Sequence, residues 1–202
     1  MREAGSGRPC LVLHGGGGPG TVAPLSRGLA GSMRTLTPTH PGWEGDLPPE
    51  VRSIADLAAR YGDFLADEDL RDVVVIGSSL GGWAGCELAL GPWRDRIEAL
   101  ILIDAVGIAV EGERLTDFFA LDARGVAEHS FHDAERFYVD PFTLTDEQRL
   151  RARQGMAAMH TLVSDPYLHD PGLRERLAGI DVPTLVVWGE HDRIASAAYG
   201  RA

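Results

Sequence analysis

A serine flanked by glycines follows one of the most apolar runs in the chain. Gly77-Ser78-Ser79-Leu80-Gly81 fits the pattern G-x-S-x-G, in which a sharp strand-to-helix turn holds a serine in a strained conformation at the carboxyl edge of a sheet. The run VVVIG before it and the run LGGWAGCELAL after it are the strand and helix that this turn requires. The pattern predicts that Ser79 is a nucleophile, with Ser78 as a supporting residue. A serine that only caps the helix is the alternative interpretation.

A glycine-rich loop, HGGGGPG, occupies residues 14–20 directly after the apolar run PCLVL. Glycines leave backbone N–H groups free to face the negative oxygen that develops when a carbonyl is attacked. Phosphate binding is the other chemistry of such loops, but neither a G-x-G-x-x-G pattern with its later acidic residue nor a following Lys-Ser/Thr is present in convincing form. His14, at the end of the strand, is expected to brace the loop by hydrogen bonds.

Alternating apolar runs and helical patterns surround these motifs. Strands are predicted at 9–13, 35–38, 72–77, 99–104 and 183–188, and helices at 51–67 and 80–90. The strand runs are nearly continuous in Val, Ile and Leu, which is typical of strands buried on both faces of a parallel sheet. The sequence therefore predicts an α/β fold with helices on both faces of the sheet.

The stretch between the last two predicted strands is much longer than one crossover helix. It carries helical patterns at about 114–121, 123–131, 145–162 and 173–178 and is rich in aromatic residues. We expect a first core segment over 1–105, a helical lid over 106–180 and a second core segment over 181–202. Aromatic residues at helical spacing are usually core, but four are candidates to line a substrate pocket: Trp43, Trp83, Phe118 and Phe119.

Four features in order, HGGGGPG, PTHPGWEGD, GSSLGG and PTLVVWGEHDRI, resemble the α/β-hydrolase superfamily over nearly the whole chain. Esterases and carbon–carbon bond hydrolases with an HGGGPG loop are similar in these motifs. The resemblance implies that the amides of Gly16 and Leu80 form the oxyanion hole and that Asp192 is the catalytic acid. Asp104 stands where some members of the superfamily carry the acid instead, and its alternative role is to bond loop amides.

The resemblance also implies a catalytic histidine after Asp192. All seven histidines precede that residue, at positions 14, 40, 129, 132, 160, 169 and 191. The base could belong to a segment beyond Ala202, together with a final strand and helix that this chain lacks. It could instead come from the lid, as His132 or His160, or catalysis could be lost. We expect the first explanation, because SAAYGRA reads as the opening of a helix.

Length, composition and net charge disfavour several classes of protein. The chain has 202 residues, 44% of them apolar, which suits one domain, and its formal charge of −11 disfavours nucleic acid and anionic lipid surfaces as partners. It contains neither an export signal nor an apolar run of the roughly 20 residues that a membrane helix needs. Cys10 and Cys86 form neither a disulfide framework nor a zinc pattern. We expect a cytoplasmic protein without metal or cofactor; the sequence does not indicate its oligomeric state.

These features predict a serine hydrolase that acts on a small, partly hydrophobic carbonyl substrate, a carboxylic ester foremost, through a Ser-His-Asp mechanism. Hydrolysis of a carbon–carbon bond in a ring-cleavage product is an alternative. A catalytically inactive fold that binds a small ligand under its lid is the alternative from another class.

Overall fold

A mostly parallel sheet of six strands forms the centre of the protein, and the computed structural model describes all 202 residues. Its strands are β1 (Arg2–Ala4), β2 (Pro9–Leu13), β3 (Arg34–Thr37), β4 (Val73–Ser78), β5 (Ile97–Ile103) and β6 (Thr184–Val187). They lie in the order β1-β3-β2-β4-β5-β6, and only the β1–β3 pair is antiparallel. The direction of winding reverses at β2, which makes the carboxyl ends of β2 and β4 the expected position for a ligand.

Helices cover both faces of this sheet. They are α1 (Ala23–Leu29), α2 (Ile54–Asp67), α3 (Leu80–Leu90), α4 (Ala123–Ser130), α5 (Ala134–Phe137), α6 (Asp146–Val163), α7 (Leu173–Arg176) and α8 (Ala197–Arg201). Single 3₁₀ turns lie at Arg94–Arg96, Phe118–Ala120, Pro141–Thr143 and Leu177–Gly179. None of the eight α-helices has both the length and the apolar character needed to cross a membrane.

The central strands contribute side chains to two hydrophobic clusters, because successive side chains of a strand point to opposite faces of the sheet. Leu11, Leu13, Val73 and Val75 belong to a cluster of 29 buried residues that includes the apolar faces of α2 and α3. The alternate residues of the same strands, among them Cys10 and Ile76, join a smaller cluster that packs against α1. The prediction of an α/β fold with helices on both faces is therefore confirmed.

All five predicted strands form, with ends shifted by at most two residues. A predicted helix at 114–121 is wrong, since that stretch holds only the 3₁₀ turn Phe118–Ala120. Its backbone bonds elsewhere: the amide of Thr116 donates to Ile194, and the Asp117 side chain caps the amide of Phe119. Strand β1 and helix α1 were not predicted, because β1 is a polar tripeptide and α1 is only seven residues long with a proline in its first turn.

Strand β6 also differs from expectation, since its predicted burial on both faces is wrong. Leu185, Val186 and Val187 are 56%, 49% and 43% exposed. The reason is position: β6 pairs only with β5 and forms an edge of the sheet.

The insert, which we define as residues 106–180, is anchored to the core by a half-buried ion pair. Arg176 of the insert donates from both Nη atoms to Glu87 of α3, at 2.7 and 2.8 Å, and Glu87 is 9% exposed. Trp83 Nε1 donates to the same carboxylate at 3.2 Å, and Asp170 accepts a further bond from Arg176 at 2.8 Å. The insert is thus fixed to the helix that follows Ser79.

Replacing Arg176 alone should therefore destabilise the protein. Arg176→Met leaves the Glu87 carboxylate buried without its cation, and partial exposure of the arginine limits the expected loss to about 2 kcal/mol in the free energy of unfolding. The double variant Glu87→Gln/Arg176→Met should recover part of this loss in urea unfolding, because no buried charge then remains. Equal stability of Arg176→Met and the wild type would contradict this assignment.

Candidate active site

Ser79 occupies a strained turn between β4 and α3. Its backbone angles are φ 54° and ψ −121°, outside the conformations that a side chain favours. The turn is held by its backbone: the Ser79 amide donates to Ile103, and the Ser79 carbonyl accepts from Gly82 at 2.9 Å and from Trp83 at 3.2 Å. No side chain or backbone group hydrogen-bonds to Ser79 Oγ, and the residue is half-buried. The backbone therefore fixes the position of Ser79, while its hydroxyl makes no hydrogen bond within the protein.

Glycines on both sides of Ser79 make this turn possible. A Cβ on Gly77 would collide with the backbone of Gly81, and a Cβ on Gly81 would lie 2.6 Å from the carbonyl oxygen of His14 and closer still to that of Leu13. A Cβ on Gly15 would lie 2.9 Å from the Cβ of Ser79. The strand, the helix and the glycine loop therefore approach so closely that only glycine, which has no Cβ, fits at these positions.

Two buried histidines brace the glycine loop, as expected for His14. His14 Nδ1 donates to the carbonyl of Gly15 at 2.7 Å, and His14 Nε2 accepts from the amide of His40 at 2.9 Å. His40 Nε2 donates to the His14 carbonyl at 2.7 Å, and its Nδ1 accepts from the Tyr61 hydroxyl. The two His14 bonds require a neutral ring, and a neutral His40 accepts from Tyr61 through Nδ1. Desolvation lowers the pKa of His14 to about 4 and that of His40 well below its usual value.

The amides predicted to form an oxyanion hole have no acceptor in the chain. Gly16 N donates to no protein atom, and Leu80 is the first residue of α3, where an amide has no partner within the helix. The carbonyl of Gly16 is fixed by Trp43, whose Nε1 donates to it at 2.8 Å. Both amides are therefore available, and the Gly15–Gly16 peptide that carries the first of them is held through its carbonyl, which accepts from His14.

Two carboxylates meet where β5 and β6 end. Asp104, with a φ of 46°, accepts from the amide of Gly189 through Oδ1 at 2.7 Å. Asp192 Oδ1 accepts from the amides of Ile194 and Ala195 at 2.8 and 3.1 Å, while its Oδ2 accepts no hydrogen bond. Desolvation raises the pKa of both carboxyls, and the charge of Asp104 raises that of Asp192 further. Asp104 thus makes the loop-amide contact that was its alternative role.

No histidine hydrogen-bonds to Ser79 or to either carboxylate. His160 is exposed and packs against the ring of Phe119, with centroids 4.9 Å apart. His132 is exposed and stacks on His191 at 4.2 Å. The structure thus gives the two candidate bases of the insert aromatic contacts and no hydrogen bond to Ser79 or Asp192. It also contains no group of three His, Cys, Asp or Glu side chains that could hold a metal ion.

A cavity of about 540 Å³ lies beside the glycine loop. Its lining includes Trp43, Phe118 and the loop residues Gly16–Gly20, together with residues on one face of α6. The other two aromatic candidates lie elsewhere. The Trp83 indole packs at Gly107 and bonds to Glu87, and the Phe119 ring faces His160 and Tyr167.

Several residues around the loop were missed in the sequence. Tyr61 reads as one more apolar position of α2, although it holds His40. Gly155 and Met159 of α6 contact Trp43 and Gly16. Glycine inside a helix costs about 1 kcal/mol relative to alanine, so Gly155 was the available signal of a close contact.

Comparison with known proteins identifies a matching family and relatives of this chain. The profile of the alpha/beta hydrolase family matches residues 10–202. A 2-hydroxy-6-oxononadienedioate/2-hydroxy-6-oxononatrienedioate hydrolase from Pseudomonas putida is 27% identical in an alignment 214 positions long, which covers 95% of this chain and 74% of that protein.

Solved structures agree in fold. A hydrolase from Pseudomonas aeruginosa superposes with a TM-score of 0.73 at 24% identity, covering 99% of this chain and 79% of the other. An esterase from Exiguobacterium antarcticum gives 0.72 at 21% identity, covering 99% and 80%.

The neutral histidines predict a loss of stability in acid. Between pH 6.5 and about 4 the unfolded chain binds a proton at His14 that the folded chain excludes, so the free energy of unfolding falls as the pH drops through this range. His14 alone accounts for about 3 kcal/mol of this fall. The free energy of unfolding, measured in urea at several pH values, should change less steeply with pH in His14→Gln than in the wild type. The exposed control His160→Gln should keep the wild-type slope, and equal slopes for all three proteins would contradict the assignment.

Proposed function

Because the chain belongs to the α/β-hydrolase family, we propose that it is a serine hydrolase with Ser79 as its nucleophile. The observation that carries the proposal is the strained turn at Ser79, whose hydroxyl has no partner and lies beside a loop with free amides. Strain of this kind persists where surrounding contacts enforce it, and it is typical of functional sites.

The proposed substrate is a small carboxylic ester with a hydrophobic portion. Ser79 Oγ attacks the carbonyl carbon, and the Gly16 and Leu80 amides stabilise the negative oxygen of the tetrahedral intermediate. Fixed amides cost no reorganisation during the reaction, which is why the bracing by His14 and Trp43 matters. The insert then acts as a lid, and Trp43 and Phe118 line the substrate pocket.

Asp192 is the proposed acid. One of its carboxyl oxygens is anchored by two amides and the other is free, as required of a group that orients an imidazole. No residue of this chain is assigned as the base, since no histidine bonds to Ser79 or Asp192. The base can instead be supplied in solution as free imidazole.

Chemical rescue provides the test of the nucleophile. We expect the protein to hydrolyse p-nitrophenyl acetate at a rate that rises with added imidazole, and Ser79→Ala to reduce that rate to the one that imidazole gives without protein. The neighbouring variant Ser78→Ala is the matched control and should retain most of the rescue. Equal rates for Ser79→Ala and the wild type would exclude Ser79 as the nucleophile.

The same assay separates the two carboxylates. Asp192→Asn should lower the imidazole-dependent rate by at least about tenfold, since an amide cannot stabilise the imidazolium. Asp104→Asn should lower it less, because Asp104 contacts a loop amide. A larger loss for Asp104→Asn would make Asp104 the acid.

Carbon–carbon bond hydrolysis is the second candidate, and the Pseudomonas putida relative favours it by name. Its substrate, 2-hydroxy-6-oxononadienedioate, should be compared with the aryl ester under identical conditions. Faster Ser79-dependent loss of the dienedioate would favour this candidate. Binding of either compound without turnover, with and without imidazole, would favour an inactive ligand-binding fold.

A further inference from the structure

The long helix of the insert packs directly on the loop that carries the Gly16 amide. A Cβ on Gly155 of α6 would lie 2.7 Å from Cδ1 of Trp43, the indole that bonds to the Gly16 carbonyl. One turn later, Met159 contacts Gly16 itself. A Cβ on Gly16 would lie 3.3 Å from Met159 Cε and closer still to Met159 Sδ. Helix α6 therefore supports the loop at two successive turns.

The contact between Gly16 and Met159 lies at the edge of the cavity. Gly16 lines the cavity, whereas Ser79 and Met159 do not. The preceding residue, Gly15, faces the serine, since a Cβ there would lie 3.6 Å from Ser79 Oγ. A substrate chain that runs along the loop from the cavity to Ser79 therefore passes Gly16, the residue that Met159 contacts.

The geometry points to Met159 as a specificity-determining residue that separates the cavity from Ser79 and limits the length of the apolar chain attached to the reacting carbonyl. This inference deepens the proposed function and rests on it. Met159 is 3% exposed, and its thioether makes no hydrogen bond. Its unbranched side chain, with three rotatable bonds, fills the contact with Gly16, so a chain that extends past Gly16 has to displace it.

We expect substrates with short acyl groups to react at Ser79 without moving Met159. Longer chains must displace Met159 before they can extend into the cavity along α6. A smaller residue at position 159 would join the two spaces, whereas leucine, which has a similar volume, would keep them apart.

Alkylation of an introduced thiol tests this inference without requiring hydrolysis. In a Ser79→Cys background, the modification rates with iodoacetamide and with N-hexyl iodoacetamide are compared by intact mass. The two native thiols should contribute little background, because desolvation raises the pKa of Cys10 to about 11 and that of Cys86 to about 12.

We expect iodoacetamide to react faster than the hexyl reagent when Met159 is present, by on the order of tenfold, and the ratio to approach unity in Met159→Ala. Met159→Leu should retain the ratio. Leu162→Ala, which removes a buried side chain one turn further along α6, controls for general loosening of the helix and should also retain it.

An unchanged ratio in Met159→Ala would overturn the inference, as would a folded protein whose introduced thiol resists both reagents. Equal loss of the ratio in Leu162→Ala would assign the effect to the helix as a whole and would also overturn it. The imidazole assay reports on Ser79 separately, so failure of the proposed function and failure of this inference give different results.

Discussion

The close approach of β4, α3 and the glycine loop is the constraint on which the site depends. Ser79 can hold a positive φ only because Gly77, Gly81 and Gly15 let three backbone segments meet without side chains between them. A methyl group at any of these positions would move the serine or the loop. The same contact brings the first amide of α3 and the amides of the loop to one edge of the sheet.

Bracing of the loop is distributed over elements far apart in sequence. His14 and His40 follow neighbouring strands, Tyr61 comes from α2, and Trp43 and Met159 link the loop to the insert. Burial keeps both imidazoles neutral, so their hydrogen bonds have fixed directions. Groups held in this way can stabilise developing charge without first rearranging, which gives the rigid loop its proposed role in catalysis.

The sequence predicted the fold well where local pattern and burial agree. Strand Pro9–Leu13 and helix Leu80–Leu90 form at their predicted bounds, because apolar runs between glycines have few alternatives. Prediction failed where tertiary contacts decide: residues 114–121 bond to the loop at Ile194, and β6 is exposed because it lies at an edge. The contacts of Met159 and Tyr61 could not be predicted, since a helical pattern identifies a buried face but not its partner.

In the proposed mechanism, Ser79 Oγ and the amides of Gly16 and Leu80 act on the same carbonyl group. The most direct measurement is a crystal structure of the protein after reaction with an alkyl fluorophosphonate, with imidazole present. We expect a phosphorus–oxygen bond to Ser79 Oγ and a phosphonyl oxygen within about 3 Å of both amide nitrogens. Modification at another residue, or a phosphonyl oxygen that faces away from both amides, would contradict it.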